Sequence, residues 1–195
     1  MKQSVYRYSA LACAATTMLL CSILFADQAA QAKAGTNRIE AELRGLVKPP
    51  PDAISLGSLD PVVVTVGWGD LFVNHGFGGH DTVKILGAAH KDFLFAHSPS
   101  KLVYAIPGSV DRFTAIGTWL DHPETVPGVW RYEVFIDGQL VHTGRHATED
   151  VEGHPIDIPV PSDAKILTLK ILAGDDGKAL ANTTWAYPRF HKRKK

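Results

Sequence analysis

Cysteine is confined to the first part of the chain, where Cys13 and Cys21 lie in one apolar stretch. Its absence after residue 32 excludes disulfides, thiolate metal sites, haem attachment and cysteine nucleophiles from the rest. A second long apolar run is also missing, so we expect no membrane span once the first segment is removed. Core packing or a bound ion must therefore hold this part of the chain together.

Signatures of common active sites are missing as well: Gly-x-Ser-x-Gly, His-Glu-x-x-His and the P-loop. Residues 76–79 are rich in glycine, but no helical pattern follows them to complete a phosphate cradle. We expect His75, His80, His142 and His146 to be exposed loop residues, with a metal-dependent hydrolase built from them as the alternative. Neighbouring loop carboxylates single out no acid and base pair. The sequence therefore predicts a protein that is not an enzyme.

The first 32 residues have the organisation of an export signal. Lys2 and Arg7 precede an apolar stretch at about residues 10–25, and Ala30 and Ala32 are the small residues that a signal peptidase requires. We expect cleavage after residue 32 and a secreted or periplasmic protein. Retention of the segment as a membrane anchor is the alternative.

Charge is unevenly distributed, although the whole chain is neutral. Without residues 1–32 and 192–195, 14 basic residues stand against 19 acidic ones. An acidic body argues against a nucleic-acid partner, because phosphates would be repelled. The basic tail, residues 191–195, is suited to contact an anionic surface or an exported partner protein.

A change of pattern divides the remaining chain. Residues 33–52 hold a short helical pattern followed by three prolines, which predicts a linker. From residue 53 to residue 190 the apolar period is two, and Asp137-Gly138 is typical of a tight hairpin. Short strands without helices between them predict an all-β, jelly-roll β-sandwich. The predicted strands are residues 61–66, 82–85, 93–96, 102–106, 112–118, 129–136, 140–141, 156–160, 166–172 and 184–190.

Tryptophan is abundant for a small β domain, with Trp68, Trp119, Trp130 and Trp185. Sugars present apolar C–H faces that stack on aromatic rings, while their hydroxyl groups need polar partners. Trp119 ends a predicted strand and precedes Asp121, so the two form a candidate sugar platform; packing of Trp119 in the core is the alternative. Trp130 lies among alternating apolar residues, which favours the core.

Several segments in order resemble the NPCBM domain, a carbohydrate-binding module found beside glycoside hydrolase family 98 enzymes. Gly67-Trp68-Gly69 resembles its Gly-Trp-Gly element, and His97-Ser98-Pro99-Ser100 resembles its His-Ala-Pro-Ser element. Two elements differ, because Asn182 to Trp185 replaces His-x-Asp-Trp and the turn after Gly117 keeps only Asp121 of its acidic pair. The segments that resemble the family are residues 54–59, 66–69, 95–100, 102–104, 113–117, 132–138, 167–169, 173–177 and 185–186.

The resemblance implies a galactose-binding-like β-sandwich with ligand loops at one end. It makes the chain a non-catalytic module for galactose-type sugars or for an envelope or extracellular polysaccharide. We expect Trp119, His97, Asp121 and Trp185 to form the carbohydrate site, with His97 positioning a sugar hydroxyl or orienting a loop. A buried, backbone-bonded role is the alternative for His97.

Two further expectations remain open. Structural Ca²⁺ is common in related folds, and Asp175 and Asp176 offer it carboxylate oxygens, a solvated turn being the alternative. A structural or protein-interaction module of the cell envelope that has lost sugar binding is the alternative to carbohydrate binding.

Overall fold

The computed structural model describes residues 52–76, 82–85, 88–120, 128–147, 153–173 and 182–193. The predicted export signal and nearly all of the predicted linker lie outside these residues. One short 3-10 helix, Leu56–Ser58, lies among strands. The strands are β1 Ile54–Ser55, β2 Val63–Thr65, β3 Phe72–Val73, β4 Val83–Ile85, β5 Ala88–His90, β6 Phe93–Phe95, β7 Ser100–Ala105, β8 Val110–Trp119, β9 Val129–Ile136, β10 Gln139–Ala147, β11 His154–Pro159, β12 Ile166–Ala173 and β13 Thr183–Lys192.

The strands form two antiparallel sheets that pack face to face. Sheet A has the order β11-β8-β13-β6-β3, and β1 pairs with the far end of β13, where Ile54 lies opposite Phe190. Sheet B has the order β10-β9-β12-β7-β2. The predicted all-β sandwich is confirmed. No helix within the described ranges has the length and apolar character needed to cross a bilayer.

The main core lies between the sheets and follows from the period-two pattern. On β9, Trp130, Tyr132, Val134 and Ile136 point inward and are at most 5% exposed. The Tyr132 hydroxyl donates a hydrogen bond to the Thr118 carbonyl at 2.5 Å, which satisfies the one polar atom of that side chain. The core prediction for Trp130 is therefore confirmed.

Sheet A is covered on both faces. A second cluster of buried apolar residues lies on the face opposite the main core, where β4 contacts β8. Its members are Val83, Phe93, Phe95, Ile116, Leu120 and Ala186. Sheet B has no second cluster among the described residues, and exposed side chains lie on its outer face.

The β9–β10 hairpin turns at the predicted Asp137-Gly138 pair, whose φ angles are 48° and 82°. Both residues are in the left-handed region, as a type I′ turn requires. The Asp137 carboxylate also accepts hydrogen bonds from the backbone N–H groups of Lys165 at 3.1 Å and Ile166 at 2.9 Å. One side chain thus ties the hairpin to the start of β12.

Replacement of Asp137 by alanine is expected to lower the free energy of unfolding by about 1–3 kcal/mol. It removes the acceptor for both N–H groups and places a residue that tolerates positive φ poorly in the turn. Urea denaturation measures the effect. Asp137→Asn keeps an acceptor oxygen and left-handed tolerance, so it should lose less than half as much. Equal losses for the two variants would contradict this account.

Candidate functional site

Five chain connections leave the sandwich at the same end, which we call the loop end. Trp119 at the end of β8 lies opposite Thr183 at the start of β13, and Ala147 at the end of β10 lies opposite Val129 at the start of β9. The connections β8–β9, β10–β11 and β12–β13 start here, as do β2–β3 and β6–β7. Loops in such scaffolds decide the ligand, and the predicted site residue Trp119 lies at this end, so the loop end is the candidate ligand end.

Trp68 is half exposed at the loop end, and the buried ring of His97 holds it in place. The Trp68 and His97 ring centroids are 5.2 Å apart and the rings are edge-to-face; Phe95 contacts His97 in the same way at 4.8 Å. Trp68 is 50% exposed, whereas His97 is 5% exposed. His97 thus stands between the core and an exposed indole, which supports a positioning role.

Glycine allows the Trp68 segment to approach His97. The Gly67 N–H donates to the His97 carbonyl at 3.1 Å, and a Cβ on Gly67 would lie 2.6 Å from the Ser98 carbonyl oxygen. Only glycine fits so close to another backbone. The site prediction did not include Trp68, although Gly67 immediately before it was a signal for this close approach.

Trp119 lies two strands away from the His97 segment on the same sheet. Its side chain packs against the edge of the main core and is partly exposed. Between them, Thr183 accepts from the Ala96 N–H at 3.1 Å through its carbonyl oxygen, and its Oγ1 donates to the Ala96 carbonyl at 2.6 Å. The structure therefore places Trp68, His97 and Trp119 at the loop end. Trp119 packs against the main core on one side and is partly exposed to solvent on the other.

Trp185 does not belong to a surface site. Its side chain is 0% exposed and lies in the main core, where its ring meets Tyr132 edge-to-face at 5.0 Å. A sugar at the loop end cannot stack on a ring that the two sheets enclose. The prediction of Trp185 as a carbohydrate-binding residue is therefore corrected to a core role.

The remaining predicted site residues, Asp121, Asp175 and Asp176, lie outside the described residues, so their roles stay predictions. Across the part of the chain that the structure describes, no group of three or more His, Cys, Asp or Glu side chains could hold a metal ion. The Ca²⁺ prediction, which was made for Asp175 and Asp176, stays a prediction.

The expectation of exposed loop histidines is wrong for His142 and His146, because both lie on β10 and face inward. His146 is 1% exposed. His142 Nε2 lies 2.9 Å from Nε2 of His154 on β11, so the pair joins the edge strands of the two sheets.

The pKa of His142 is lowered from 6.5 to about 4, mainly by burial and secondly by the nearby His154. A Cβ on Gly144 would overlap the His154 ring, so glycine makes room for the pair.

Three solved structures are similar to this chain. One is a CBM51 module of a Clostridium perfringens GH95 protein in complex with methyl-galactose. It has a TM-score of 0.60 and 16% sequence identity, and the alignment covers 71% of this chain and 99% of the module. The Clostridium perfringens ZmpB CBM51-2 and INT domains, in complex with GlcNAc, have TM-score 0.62 and 20% identity, covering 72% of this chain. Tandem CBM51 modules of Sp3GH98 from Streptococcus pneumoniae have TM-score 0.63 and 18% identity, covering 75%.

These similarities show the fold, and two of the three structures are much larger than the matched part. This chain spans 31% of the ZmpB structure and 48% of the Sp3GH98 structure. No curated protein matches the chain. The sequence model of the NPCBM/NEW2 domain, in contrast, matches residues 52–191, which include β1 to β12 and all of β13 except its last residue. Because that match covers well over half of the chain, this protein belongs to the NPCBM/NEW2 domain family.

Proposed function

We propose that this protein is an exported, non-catalytic carbohydrate-binding module whose site lies at the loop end. The proposal rests mainly on Trp68, which is half exposed and makes an edge-to-face contact with the buried ring of His97. Trp119 lies at the same end of the sandwich. An aromatic ring fixed in orientation loses little entropy when a sugar stacks on it. Membership of the NPCBM/NEW2 family supports the same conclusion.

Each residue has a separate role in the proposed site. Trp68 and Trp119 offer ring faces to the apolar side of a sugar. His97 positions Trp68, because it is too buried to be the main contact. Asp121 accepts hydrogen bonds from sugar hydroxyl groups, and Asp175 and Asp176 hold a structural Ca²⁺.

Galactose-type sugars are the proposed ligand class, either free or within an envelope or extracellular polysaccharide. The methyl-galactose complex of the Clostridium perfringens GH95 module supports this choice, while the GlcNAc complex of the ZmpB module makes GlcNAc the first comparison sugar. Glycan arrays and pull-downs on insoluble polysaccharide, with Ca²⁺ and with a chelator, test both the class and the metal.

Trp119→Ala and Trp68→Ala are each expected to weaken binding of the retained glycan by about tenfold or more, since buried aromatic contacts dominate binding energy. The proteins should remain folded, as circular dichroism can show. Val141→Ala is the matched control, because Val141 is 44% exposed but lies beside the β9–β10 turn, away from the loop end. Loss of binding in neither tryptophan variant would contradict a site at the loop end.

Docking onto an exported protein is the second candidate function. It is favoured by the edge strand β2, where Val63 and Val64 are 42% and 41% exposed and the preceding Val62 is 62% exposed. Exposed apolar edge strands are prone to pair with another chain. A folded protein that retains no glycan, but co-purifies with one exported protein, would replace the carbohydrate proposal with this one.

A further inference from the structure

A row of apolar side chains crosses the outer face of sheet B from one edge strand to the other. Cross-strand pairing places one residue of each strand in it, in the order Leu140, Phe135, Thr168, Val103 and Val63. We call these five residues the apolar row. None of them belongs to the main core, because their neighbours along β9, β12 and β7 are the residues that point inward.

Exposed apolar side chains gather at both ends of this row. Apart from Trp68 at the loop end, every exposed large apolar side chain among the described residues lies on or directly before the two strands that end the row. They are Val62, Val63 and Val64 at β2, and Leu140 and Val141 at β10. Single exposed apolar residues are ordinary, but a set joined by one row indicates an interaction surface.

The described chain begins near the same part of the sandwich. β1 runs beside the last part of β13, and beyond β13 the Arg193 N–H donates to the Ser109 carbonyl at 2.8 Å, in the β7–β8 connection. Val103 is two residues from the end of β7 that leads into this connection. Because the edge strands β11 and β10 contact each other, the two sheets are stacked in the same strand order, and β1 lies across the sandwich from β7.

Residues 37–48 precede this entry point, and their sequence suits the row. A helix of 12 residues is about 18 Å long, and a row across five strands is about 19 Å long. The five residues between the segment and β1 reach about 16 Å when extended, farther than the spacing of about 10 Å between packed sheets. The helical pattern has an apolar stripe and two acidic residues that border it, which are Ile39, Leu43 and Leu46 with Glu40 and Glu42.

Charge complementarity supports the same occupant. Lys101 and Lys170 lie two residues along their strands from the row and are direct cross-strand partners. Like charges placed in this way destabilise a sheet. Glu133 also lies opposite Lys170, but its carboxylate forms an ion pair with Arg131 at 3.0 Å. The two glutamates that border the apolar stripe would bring negative charge to the lysine pair.

We propose that residues 37–48 fold back as an amphipathic helix over the apolar row, and so form part of the domain instead of a free linker. The helix buries the exposed valines of β2 and Leu140 of β10 under its apolar stripe. A second copy of the chain is a poorer occupant of this face, because it would present the same lysine pair to the first, whereas the segment presents glutamates.

The test measures how exposed each end of the row is in the full chain. With Cys13→Ser and Cys21→Ser the chain has no thiol, so a single introduced cysteine can be labelled alone. Val63→Cys and Leu140→Cys place a thiol at the two ends, and Lys91→Cys is the control at an exposed position between β5 and β6. Relative to the same variant unfolded in urea, maleimide labelling at residues 63 and 140 is expected to be slower than at residue 91 by about tenfold or more.

Leu43→Gln/Leu46→Gln should abolish this protection, because it removes the apolar stripe. Arg44→Gln/Lys48→Gln is the matched control on the opposite side of the helix and should keep the protection. Protection at only one end of the row or at neither end would overturn the proposal, as would protection that survives Leu43→Gln/Leu46→Gln. Protection that disappears on dilution, together with a dimer in sedimentation, would assign the row to a second copy. Circular dichroism and thermal melting establish that each variant is folded.

Discussion

Replacement of Trp185 by alanine is expected to lower the free energy of unfolding by about 3–5 kcal/mol. The side chain is fully buried and among the largest in the core, so its loss removes apolar burial and leaves a cavity between the sheets. Small domains are stable by only about 5–15 kcal/mol, so the variant would lose a large part of its stability.

Chemical denaturation measures this effect, and Trp68→Ala is the control. Trp68 is half exposed, so its removal should change stability by about 1 kcal/mol or less while it weakens glycan retention. The two tryptophans thus separate a core role from a surface role. If the Trp185→Ala protein kept its stability but lost glycan binding, the core role would be contradicted and Trp185 would be assigned to the carbohydrate site.

The second large effect is a loss of stability in mild acid that depends on His142. In the unfolded chain a histidine binds a proton near pH 6.5, whereas the folded protein lowers the pKa of His142 to about 4. The unfolded state therefore binds more protons between these values. The stability that His142 contributes is fully present above pH 6.5 and decreases as the pH falls towards 4.

The expected loss is about 1–2 kcal/mol between pH 7 and pH 4, since solvent screens a ring that is only half-buried. Urea denaturation at several pH values measures it. His142→Gln should flatten the curve in this window, because it removes the group that titrates, whereas His75→Gln at an exposed site should follow the unmodified protein. An unchanged slope in His142→Gln would show that other groups cause the acid sensitivity.

The sequence predicted the sandwich well because alternation is a local signal. The strand predicted at residues 129–136 coincides with β9, where four inward residues alternate with outward ones. The Asp137-Gly138 turn was also predicted correctly, since its left-handed φ angles demand these residue types. β3 and β5 were missed, and it is pairing with β6 and β4 that makes these short segments strands.

The site was harder to predict because burial depends on pairing between distant strands. The sequence alone did not distinguish the environments of Trp185 and Trp68, yet the sheets bury Trp185 completely and leave Trp68 half exposed. The continuation of β10 to Ala147 was missed, because histidines and a glycine interrupt its apolar pattern. The contact of His142 with His154 follows from the meeting of two sheet edges, which no spacing along the chain encodes.

The pairing of β1 with the far end of β13 determines how the module faces its surroundings. Ile54 and Phe190 are neighbours, and they lie some seven residues along β13 from Thr183 at the loop end, about 20 Å away. Both directions of the chain therefore leave the sandwich from one pole, side by side. A tether attached at this pole would leave the loop end, with Trp68 and Trp119, on the side away from the point of attachment.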